Sequence, residues 1–375
     1  MPYTALQEAL RAHPESQQAL AVADYRGTTA ALRFSDRDRE FTALQNGGAV
    51  YDLGFRARLS IAGNDRTRWM NGMVTNNTRD LSPGHGVYAF LLNAQGHILG
   101  DVFVFNEGEK LLVETDRSQM EKIAATFDHY IIMDDVQLTD LSGRQTALGV
   151  SGANARSLLN AAGSRVPELQ PLQTVALQCD CDCGCVACTI VRGDDPVRES
   201  YEIWLAPKDV YNLWRALLEA GAAPVGCEAL EMYRIVSGIP LYGVDIRERD
   251  LPQETEQIRA LNFNKGCFIG QEIVERIRSR GNVHRKFTGF LAEGDATIAA
   301  GIRIIAGEKE VGEITSSALI PTSFGNRVVA LGYIRREIGI PGYDVTLGAA
   351  RAKVVQLPIR LSAIEKLDHA EVQRV

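Results

Sequence analysis

The sequence predicts an α+β fold that ends in a small β-barrel or sandwich, and three observations support this prediction. Over residues 49–220, apolar runs of strand length alternate with stretches of helical spacing, without the regular series of a parallel sheet. After His284 the helical spacing fades, and short apolar runs are separated by glycine and proline. The 375 residues are 45% hydrophobic and 23% charged, so the chain can bury a sizeable core.

The N-terminal elements follow from the same periodicities. Residues 4–21 and 37–44 have apolar side chains at helical spacing, which predicts two helices. Ala57, Leu59 and Ile61 alternate with polar neighbours, which predicts a half-buried strand. Residues 65–73 predict a helix that Asn64 is placed to cap.

The remaining elements continue the alternation. Residues 87–92 and 98–105 predict two strands, and the asparagine and glycine between them favour a hairpin turn. Further strands are predicted at residues 111–114, 147–150, 186–191 and 201–205, and helices at 118–127, 153–161, 207–220 and 229–237. The barrel strands are predicted at residues 287–291, 302–306, 309–316, 328–333 and 352–356. At roughly 100–200 residues per domain, the length predicts two or three domains, and the bounds that we expect are residues 1–140, 141–284 and 285–375.

Charge and terminal sequence restrict the classes of function. The net charge of −7 argues against a dedicated nucleic-acid or membrane binder. No apolar run approaches the ~18 residues that a membrane span needs, and the first residues lack the basic start and apolar core of a signal peptide. We therefore expect a cytoplasmic protein without a membrane partner.

The segment with the clearest chemistry surrounds Cys267. It comes shortly before a helix predicted to run to about Arg280, and Lys265 is two residues away. A helix N-terminus and a lysine both favour the thiolate, because each places positive potential next to the sulfur. The basic residues that follow, as far as Lys286, suit a carboxylate-rich ligand. The competing interpretation is a buried cysteine at a turn beside a solvated basic helix face.

The run Lys265-Gly266-Cys267-Phe268-Ile269-Gly270-Gln271-Glu272 resembles the motif of YgfZ-like folate-binding proteins in the glycine cleavage aminomethyltransferase superfamily. The resemblance extends over most of the chain, from Gly63-Asn64-Asp65 to Pro341-Gly342. It implies a three-lobed ring of two α+β lobes and a C-terminal barrel around a central folate pocket. YgfZ-like proteins support the assembly or repair of iron–sulfur enzymes, and related aminomethyltransferases usually lack the cysteine.

The resemblance also implies site residues. Asp101 matches an aspartate that contacts the pterin and serves catalysis, Tyr88 a pocket tyrosine, and Glu202 a glutamate that accepts two N–H donors of the pterin edge in a planar fork. Asp101 and Cys267 are the predicted catalytic residues. The predicted cofactor-binding residues are Tyr88, Asp101, Glu202, Arg234, Lys265, Gly266, Gln271 and Glu272. Without the resemblance, Tyr88 is a packing residue and Glu202 is the solvent-facing member of a strand. Asp101 follows a glycine in an apolar run, so it is either buried with a partner or placed beside a ligand, with a surface acid as the alternative.

Three positions depart from the aminomethyltransferase pattern. Gly100 replaces the first of two consecutive aspartates, Leu230 replaces the first of two arginines, and Asp195 falls where the family has a tyrosine. These departures weaken the case for aminomethyltransferase chemistry, but they leave the pocket residues in place.

Five cysteines, Cys179, Cys181, Cys183, Cys185 and Cys188, lie within ten residues, and the resemblance does not include them. Alternate thiols on one strand lie ~7 Å apart, which is too far to share one zinc ion. A hairpin that turns at residues 182–184 can bring thiols of its two strands together. Core packing, metal binding and a redox role therefore stay open, and we assign no metal ligands.

Two functional hypotheses follow. In the first, the chain binds tetrahydrofolate or a derivative, with polyglutamylated forms included, and supports iron–sulfur enzymes or their assembly proteins through Cys267. In the second, it is an aminomethyltransferase that transfers a one-carbon unit to tetrahydrofolate. A non-catalytic folate-binding module is a further alternative, so the sequence leaves open whether the chain is an enzyme.

Overall fold

The computed structural model describes residues 1–181, 184–281, 283–294, 296–323 and 325–360. Its helices are α1 (Ala5–Ala12), α2 (Arg37–Asn46), α3 (Arg66–Met73), α4 (Arg117–His129), α5 (Ala155–Ala161), α6 (Val210–Glu219), α7 (Cys227–Ser237) and α8 (Gln271–Arg280). Three short 3-10 helices cover Pro207–Asp209, Pro252–Thr255 and Ile258–Ala260. None of the helices in these ranges is long and apolar enough to cross a membrane.

The strands form two larger sheets, a small hairpin sheet and a barrel. The strands before the barrel are β1 (Ala21–Tyr25), β2 (Thr28–Arg33), β3 (Ala49–Asp52), β4 (Arg56–Ala62), β5 (His85–Leu92), β6 (Ile98–Asn106), β7 (Leu111–Asp116), β8 (Gln137–Asp140), β9 (Thr146–Ser151), β10 (Thr174–Cys181), β11 (Gly184–Arg192), β12 (Ser200–Leu205) and β13 (Ala223–Val225). The barrel strands are β14 (Arg285–Ala292), β15 (Arg303–Ala306), β16 (Lys309–Thr322), β17 (Gly325–Arg335), β18 (Asp344–Leu347) and β19 (Ala350–Val355).

The contacts divide the chain into two compact units. Unit 1 contains residues 1–92, 100–230 and 259–269, and unit 2 contains residues 93–99, 231–258 and 270–375. The predicted three-lobe division of residues 1–140, 141–284 and 285–375 stays a prediction.

Unit 1 contains two mixed or antiparallel sheets, with strand orders β10-β11-β12-β9-β3-β13 and β5-β6-β7-β4-β8. One face of the six-stranded sheet packs against helices α1, α5 and α6, and buried apolar side chains such as Leu10, Leu159 and Trp214 fill this core. A second apolar cluster joins residues of both sheets, among them Phe105 of β6 and Trp204 of β12. This second cluster is the part of unit 1 that borders the candidate site.

Unit 2 contains the barrel, which closes in the order β14-β17-β16-β15-β18-β19. Its interior is filled by apolar side chains such as Phe290, Ile304, Ala330 and Val354, each fully or almost fully buried. The predicted α+β class with a small C-terminal β-barrel is therefore confirmed.

Three local predictions were wrong. The first helix ends at Ala12 instead of residue 21, because Pro14 disfavours helical geometry in the residue before it. Asn64 does not cap α3, because the N-cap position is Asp65, whose side chain makes no capping hydrogen bond, and the Asn64 amide donates to Asp135 Oδ2 at 2.8 Å. Strand β4 is buried on both faces, not on one, because Arg58 and Ser60 are also buried.

Candidate functional site

Asp101, on β6, has hydrogen-bond partners on both carboxylate oxygens. The Tyr88 hydroxyl donates to Oδ2 at 2.8 Å, and the Gln119 amide donates to Oδ1 at 2.8 Å. Gln119 Oε1 also accepts the backbone N–H of Asp101 at 3.2 Å. A Cβ at Gly100 would lie 3.2 Å from that same Oε1, so the glycine allows α4 to approach β6 closely. Gln119 was not predicted, because a single amide in the first turn of a helix gives no signal of this role.

Burial and the nearby Asp116 raise the pKa of Asp101, while the bonds from Gln119 and Tyr88 and the charge of Arg56 act in the opposite direction. Burial and Asp101 likewise hold the pKa of Tyr88 well above its usual value. The Tyr88 hydroxyl therefore stays protonated and donates a hydrogen bond to Asp101. The structure brings these two predicted residues together as a hydrogen-bonded pair.

Arg259 was not predicted, and it lies beside this pair. Its guanidinium carbon is 4.6 Å from the centroid of the Tyr88 ring, and it forms an ion pair with Asp194. The side chain of Arg259 is 36% exposed, so its cationic face is open to solvent. A guanidinium stacked on an aromatic ring is held in one orientation, which suits recognition of a flat or anionic ligand group.

Glu202, on β12, is the second candidate acid. Its side chain is 26% exposed, and Oε2 accepts the indole N–H of Trp204 at 3.0 Å. Burial and the nearby Glu114 raise the pKa of Glu202 to about 7, against the opposing charges of Arg56 and Arg58. The carboxyl group therefore changes charge near neutral pH.

Gly149 of β9 lies next to Glu202 and leaves room for a neighbouring aromatic ring. It pairs with Glu202 on one side and with Tyr51 of β3 on the other. A Cβ at Gly149 would lie 2.0 Å from the Tyr51 ring, so the ring extends across this glycine. Burial, Asp195 and Glu202 raise the pKa of Tyr51. Tyr51 was not predicted, and it stands near Asp195, the position where the family pattern has a tyrosine.

The loop of Lys265, Gly266 and Cys267 is held by the lysine. Lys265 Nζ donates to the carbonyl oxygens of Asn71 at 2.6 Å, of Asn76 at 2.8 Å and of Val74. Burial lowers the pKa of Lys265 to about 7, but three carbonyl acceptors favour the ammonium form. All three of its N–H groups are therefore used to bind the backbone, so the structure gives it a role in fixing the loop.

Gly266 and Cys267 are exposed at the tip of this loop. The Phe268 ring lies 4.9 Å from Lys265 Nζ, and the Ile269 N–H donates to the Gly72 carbonyl at 3.1 Å. Cys267 is thus not the buried cysteine of the competing interpretation. Its predicted catalytic role stays a prediction.

The predicted residues Arg234, Gln271 and Glu272 belong to unit 2. Arg234 is buried, and it donates to Asp245 Oδ2 at 2.5 Å, to Glu231 Oε2 at 2.8 Å and to Ser316 Oγ at 3.1 Å. These contacts tie α7 to strand β16 within unit 2.

Gln271 is the first residue of α8, and Glu272 is exposed in its first turn. The basic segment after Cys267 is partly neutralised, because Arg285 binds Asp250 at 2.7 Å and Glu254 at 2.9 Å. The side chain of Arg280 lies outside the described residues. The predicted folate contacts of unit 2 stay predictions.

The cysteine segment forms the predicted hairpin of β10 and β11. Cys179 lies opposite Val186 and Cys188 opposite Leu177, so neither of these cysteines faces another across the strands. Both are buried in the core of the helix-covered sheet face, and burial raises the pKa of Cys188 to about 12. Core packing therefore accounts for Cys179 and Cys188.

Cys185 is exposed, and its thiol donates to Gln178 Oε1 at 3.1 Å. Cys183 and the side chain of Cys181 lie outside the described residues. Among the residues that the structure describes, no group of three or more histidines, cysteines, aspartates or glutamates could hold a metal ion.

The fold and the two carboxylates define an α+β protein with a candidate small-molecule site in unit 1. Residues 6–265 match the sequence model of the GCVT N-terminal domain. Because this match spans more than half of the chain, the protein belongs to the GCVT-domain aminomethyltransferase (T-protein) superfamily.

Named relatives extend the similarity over almost the whole chain. An aminomethyltransferase of Rubrobacter xylanophilus is 28% identical over 351 residues, 92% of each chain. An aminomethyltransferase of Alcanivorax borkumensis is 29% identical over 308 residues, which cover 80% of this chain and 82% of the relative. The crystal structure of the glycine cleavage system aminomethyltransferase T from Bartonella henselae superposes with a TM-score of 0.83, at 21% identity over 93% of this chain and 96% of that one. This last similarity establishes the fold alone.

Proposed function

We propose that unit 1 binds tetrahydrofolate and that Asp101 handles a proton of the one-carbon chemistry at its reactive nitrogens. The observation that supports this proposal is the arrangement around Asp101, where Tyr88 and Gln119 each hold one carboxylate oxygen. A raised pKa brings an aspartate closer to the pH at which it exchanges a proton, as a general acid or base requires. Membership of the GCVT family supports the choice of folate.

The chemistry of the available groups fits a pterin. Its pyrimidine edge presents neighbouring N–H donors, and the partly exposed Glu202 carboxylate can accept two such donors in a plane. Tyr88 and the Arg259 guanidinium add an aromatic and a cationic surface near Asp101. When bound, tetrahydrofolate supplies the nitrogens that carry a one-carbon unit. The protein's part is to orient the pterin through Glu202 and to accept or return a proton at Asp101.

A calorimetric titration with 5-formyltetrahydrofolate, a stable reduced folate, tests the binding. We expect Asp101→Ala and Glu202→Ala each to weaken binding at least about 10-fold, the effect of losing a charge-assisted hydrogen bond. Asp344→Ala, which removes an exposed carboxylate of the barrel strand β18, is the matched control and should bind as the wild type does. Wild-type affinity in both site variants, or no binding by the wild-type protein, would rule out the site.

Two finer functions fit this site, and a different observation favours each. The relatives named aminomethyltransferase, which cover up to 92% of the chain, favour transfer of a one-carbon unit from an aminomethylated carrier. Gly100, Leu230 and Asp195 depart from that family's pattern. The comparisons support aminomethyl transfer better than the alternative, so we rank it first.

Support of iron–sulfur enzymes is the second function, and the exposed Cys267 in its fixed loop favours it.

Release of ammonia from an aminomethylated lipoyl carrier protein, measured with tetrahydrofolate present, tests the first function, which is aminomethyl transfer. Rescue of iron–sulfur enzyme activity in cells that lack a YgfZ-like protein tests the second. In that assay Cys267→Ala should fail, whereas Cys185→Ala, which changes another exposed cysteine, should succeed. Full rescue by Cys267→Ala would remove Cys267 from the mechanism.

A further inference from the structure

A series of side chains with alternating charge, here called the charge ladder, runs along strands β4 and β7 and reaches Glu202. Its members are Arg26, Asp116, Arg56, Glu114, Arg58 and Glu202. Two of its steps are cross-strand pairs, because Arg56 lies opposite Asp116 and Arg58 opposite Glu114. The shortest contacts are Arg56 Nη1 to Asp116 Oδ1 at 2.7 Å and Arg58 Nη2 to Glu114 Oε1 at 2.8 Å.

Arg58 occupies the deepest position of the ladder. Its side chain is 1% exposed, and its guanidinium carbon lies 4.6 Å from the Trp204 ring centroid. Nη2 binds Glu114 and lies 4.0 Å from Glu202 Oε2. Nε and Nη1 are buried without a hydrogen-bond partner in the part of the chain that the structure describes.

This position is costly for stability alone. A buried donor without a partner costs about 1–3 kcal/mol, and an apolar side chain of similar volume often replaces a buried ion pair without loss. Packing therefore does not account for an arginine at position 58. The charge of Arg58 next to Glu202 gives a functional reason for an arginine at this buried position.

The groups that face Glu202 come from three neighbouring strands. Arg56 and Arg58 of β4 favour its charged form, and Glu114 of β7 disfavours it. Trp204, on the same strand as Glu202, donates its N–H to the carboxylate, and Tyr51 of β3 interacts with it electrostatically. Asp195 adds a negative charge near Tyr51. Arg58 Nη2 lies 4.0 Å from Glu202 Oε2, so removing Arg58 takes away one of the two cations that oppose burial and Glu114 and leaves Arg56 as the other.

We propose that Arg58 is a positioning residue of the folate site, which keeps Glu202 a carboxylate and holds it in the plane that accepts the two N–H donors of the pterin edge. This inference rests on the proposed folate binding. Arg58 is buried behind Glu202 and Trp204, and it acts on the ligand only through Glu202.

The direction of the pH effect follows from the charges. Only the carboxylate form of Glu202 accepts both donors, so wild-type affinity falls as the pH decreases through the pKa of Glu202, about 7. Loss of the Arg58 cation raises that pKa further, because burial and Glu114 then act with less opposition. The decline in affinity therefore begins at a higher pH in a neutral variant.

The experiment measures the Kd of 5-formyltetrahydrofolate between pH 6 and pH 8.5. Arg58→Met and Arg58→Gln remove the charge, and Arg58→Lys retains it. We expect the neutral variants to shift the profile upward by about one pH unit or more, and to bind roughly 10-fold more weakly at pH 7. Arg58→Lys should keep the midpoint of the wild type. Arg66→Met is the matched control, because it removes a half-buried arginine of unit 1 that donates to the backbone carbonyls of Gly63 and Gly108 and lies outside the ladder, and its profile should coincide with that of the wild type.

Each outcome decides the proposal. If Arg58 has a purely structural role, the neutral variants will be less stable, or will bind more weakly at every pH, but will keep the wild-type pH midpoint. This result would overturn the proposal. If neither neutral variant folds, the wild-type profile decides, since constant affinity from pH 6 to pH 8.5 is incompatible with control through Glu202. Absence of wild-type binding at every pH would reject the proposed function itself, and this inference with it. Binding with unshifted variants would reject the inference alone.

Discussion

Asp101 acquires its environment from residues 13 positions before it and 18 positions after it. The family pattern predicted Tyr88 and Asp101, and the structure joins them by a hydrogen bond. Gln119 was not predicted, because an isolated glutamine in a helix has no distinctive spacing. Arg259 was not predicted either, because its contact with Tyr88 depends on where the short 3-10 helix Ile258–Ala260 lies, which the local sequence does not determine.

Tyr88→Phe removes the hydroxyl that donates to Asp101 Oδ2 and keeps the ring in the core. Because this hydrogen bond lowers the pKa of Asp101, its loss raises that pKa further. We expect turnover or folate affinity at neutral pH to fall by about 3- to 10-fold, as for one hydrogen bond of about 1 kcal/mol. Titration at several pH values checks this result. Tyr343→Phe, at an exposed tyrosine of unit 2, should have no effect.

At the scale of secondary structure elements, β4 is a strand for which the sequence periodicity did not predict which faces are buried. Its alternating pattern predicted that Arg58 faces solvent, but the second face of the strand is covered too. Paired arginines and glutamates make that covered face polar, so hydrophobicity alone does not reveal it. The ion pairs between β4 and β7 join residues 56–60 positions apart, and one sequence without an alignment contains no signal of such pairs.

The hairpin of β1 and β2 was missed although it has a local signal. Arg26 and Gly27 both have positive φ angles, 49° and 94°, and X-Gly pairs of this kind favour tight hairpin turns. The apolar residues 19–21 were instead assigned to the end of a helix. In this segment, Gly27 predicts the hairpin turn correctly, whereas the apolar spacing predicts a helix that is not formed.

Gly149→Ala tests the space between Tyr51 and Glu202. The new Cβ would lie 2.0 Å from the Tyr51 ring, so the ring or β9 has to move. We expect the free energy of unfolding to fall by about 1–3 kcal/mol, measured by urea denaturation, and folate affinity to fall with it. Gly72→Ala is the control, because among the described residues no heavy atom outside the backbone of its own helix lies within 4 Å of the added methyl group, and it should be neutral or stabilise by about 0.5–1 kcal/mol. Equal stability of the two variants would contradict the close approach.

Lys265→Met tests the loop that presents Cys267. The variant leaves the carbonyl oxygens of Asn71, Val74 and Asn76 without their shared donor. We expect a loss of about 2–4 kcal/mol in the free energy of unfolding and faster alkylation of Cys267 by iodoacetamide as the loop loosens. Lys309→Met, at an exposed lysine, should change neither quantity. A stable Lys265→Met protein with unchanged alkylation would show that the three contacts do not fix the loop.

At the scale of the whole molecule, Tyr88, Asp101, Glu202 and Arg58 all belong to unit 1. A ligand that binds them stabilises the state in which they are folded, by about 2.7 kcal/mol at 100 times its Kd. We expect 5-formyltetrahydrofolate to slow amide hydrogen exchange most in β5, β6 and β12, as measured by mass spectrometry. The hairpin of β16 and β17 in the barrel serves as the internal reference. Slowing that is greatest in this reference hairpin would place the ligand elsewhere.

The contact between Trp204 and Glu202 has a practical consequence. Its indole N–H is bonded to Glu202, and its ring lies against the Arg58 guanidinium, so a change of charge at Glu202 alters the electric field across the ring. Indole emission responds to such fields. The other two tryptophans, Trp69 and Trp214, are buried away from this acid, in contact with Phe127 and Phe34. With both changed to phenylalanine, the fluorescence of the remaining tryptophan would report the protonation of Glu202 without a ligand or an added dye.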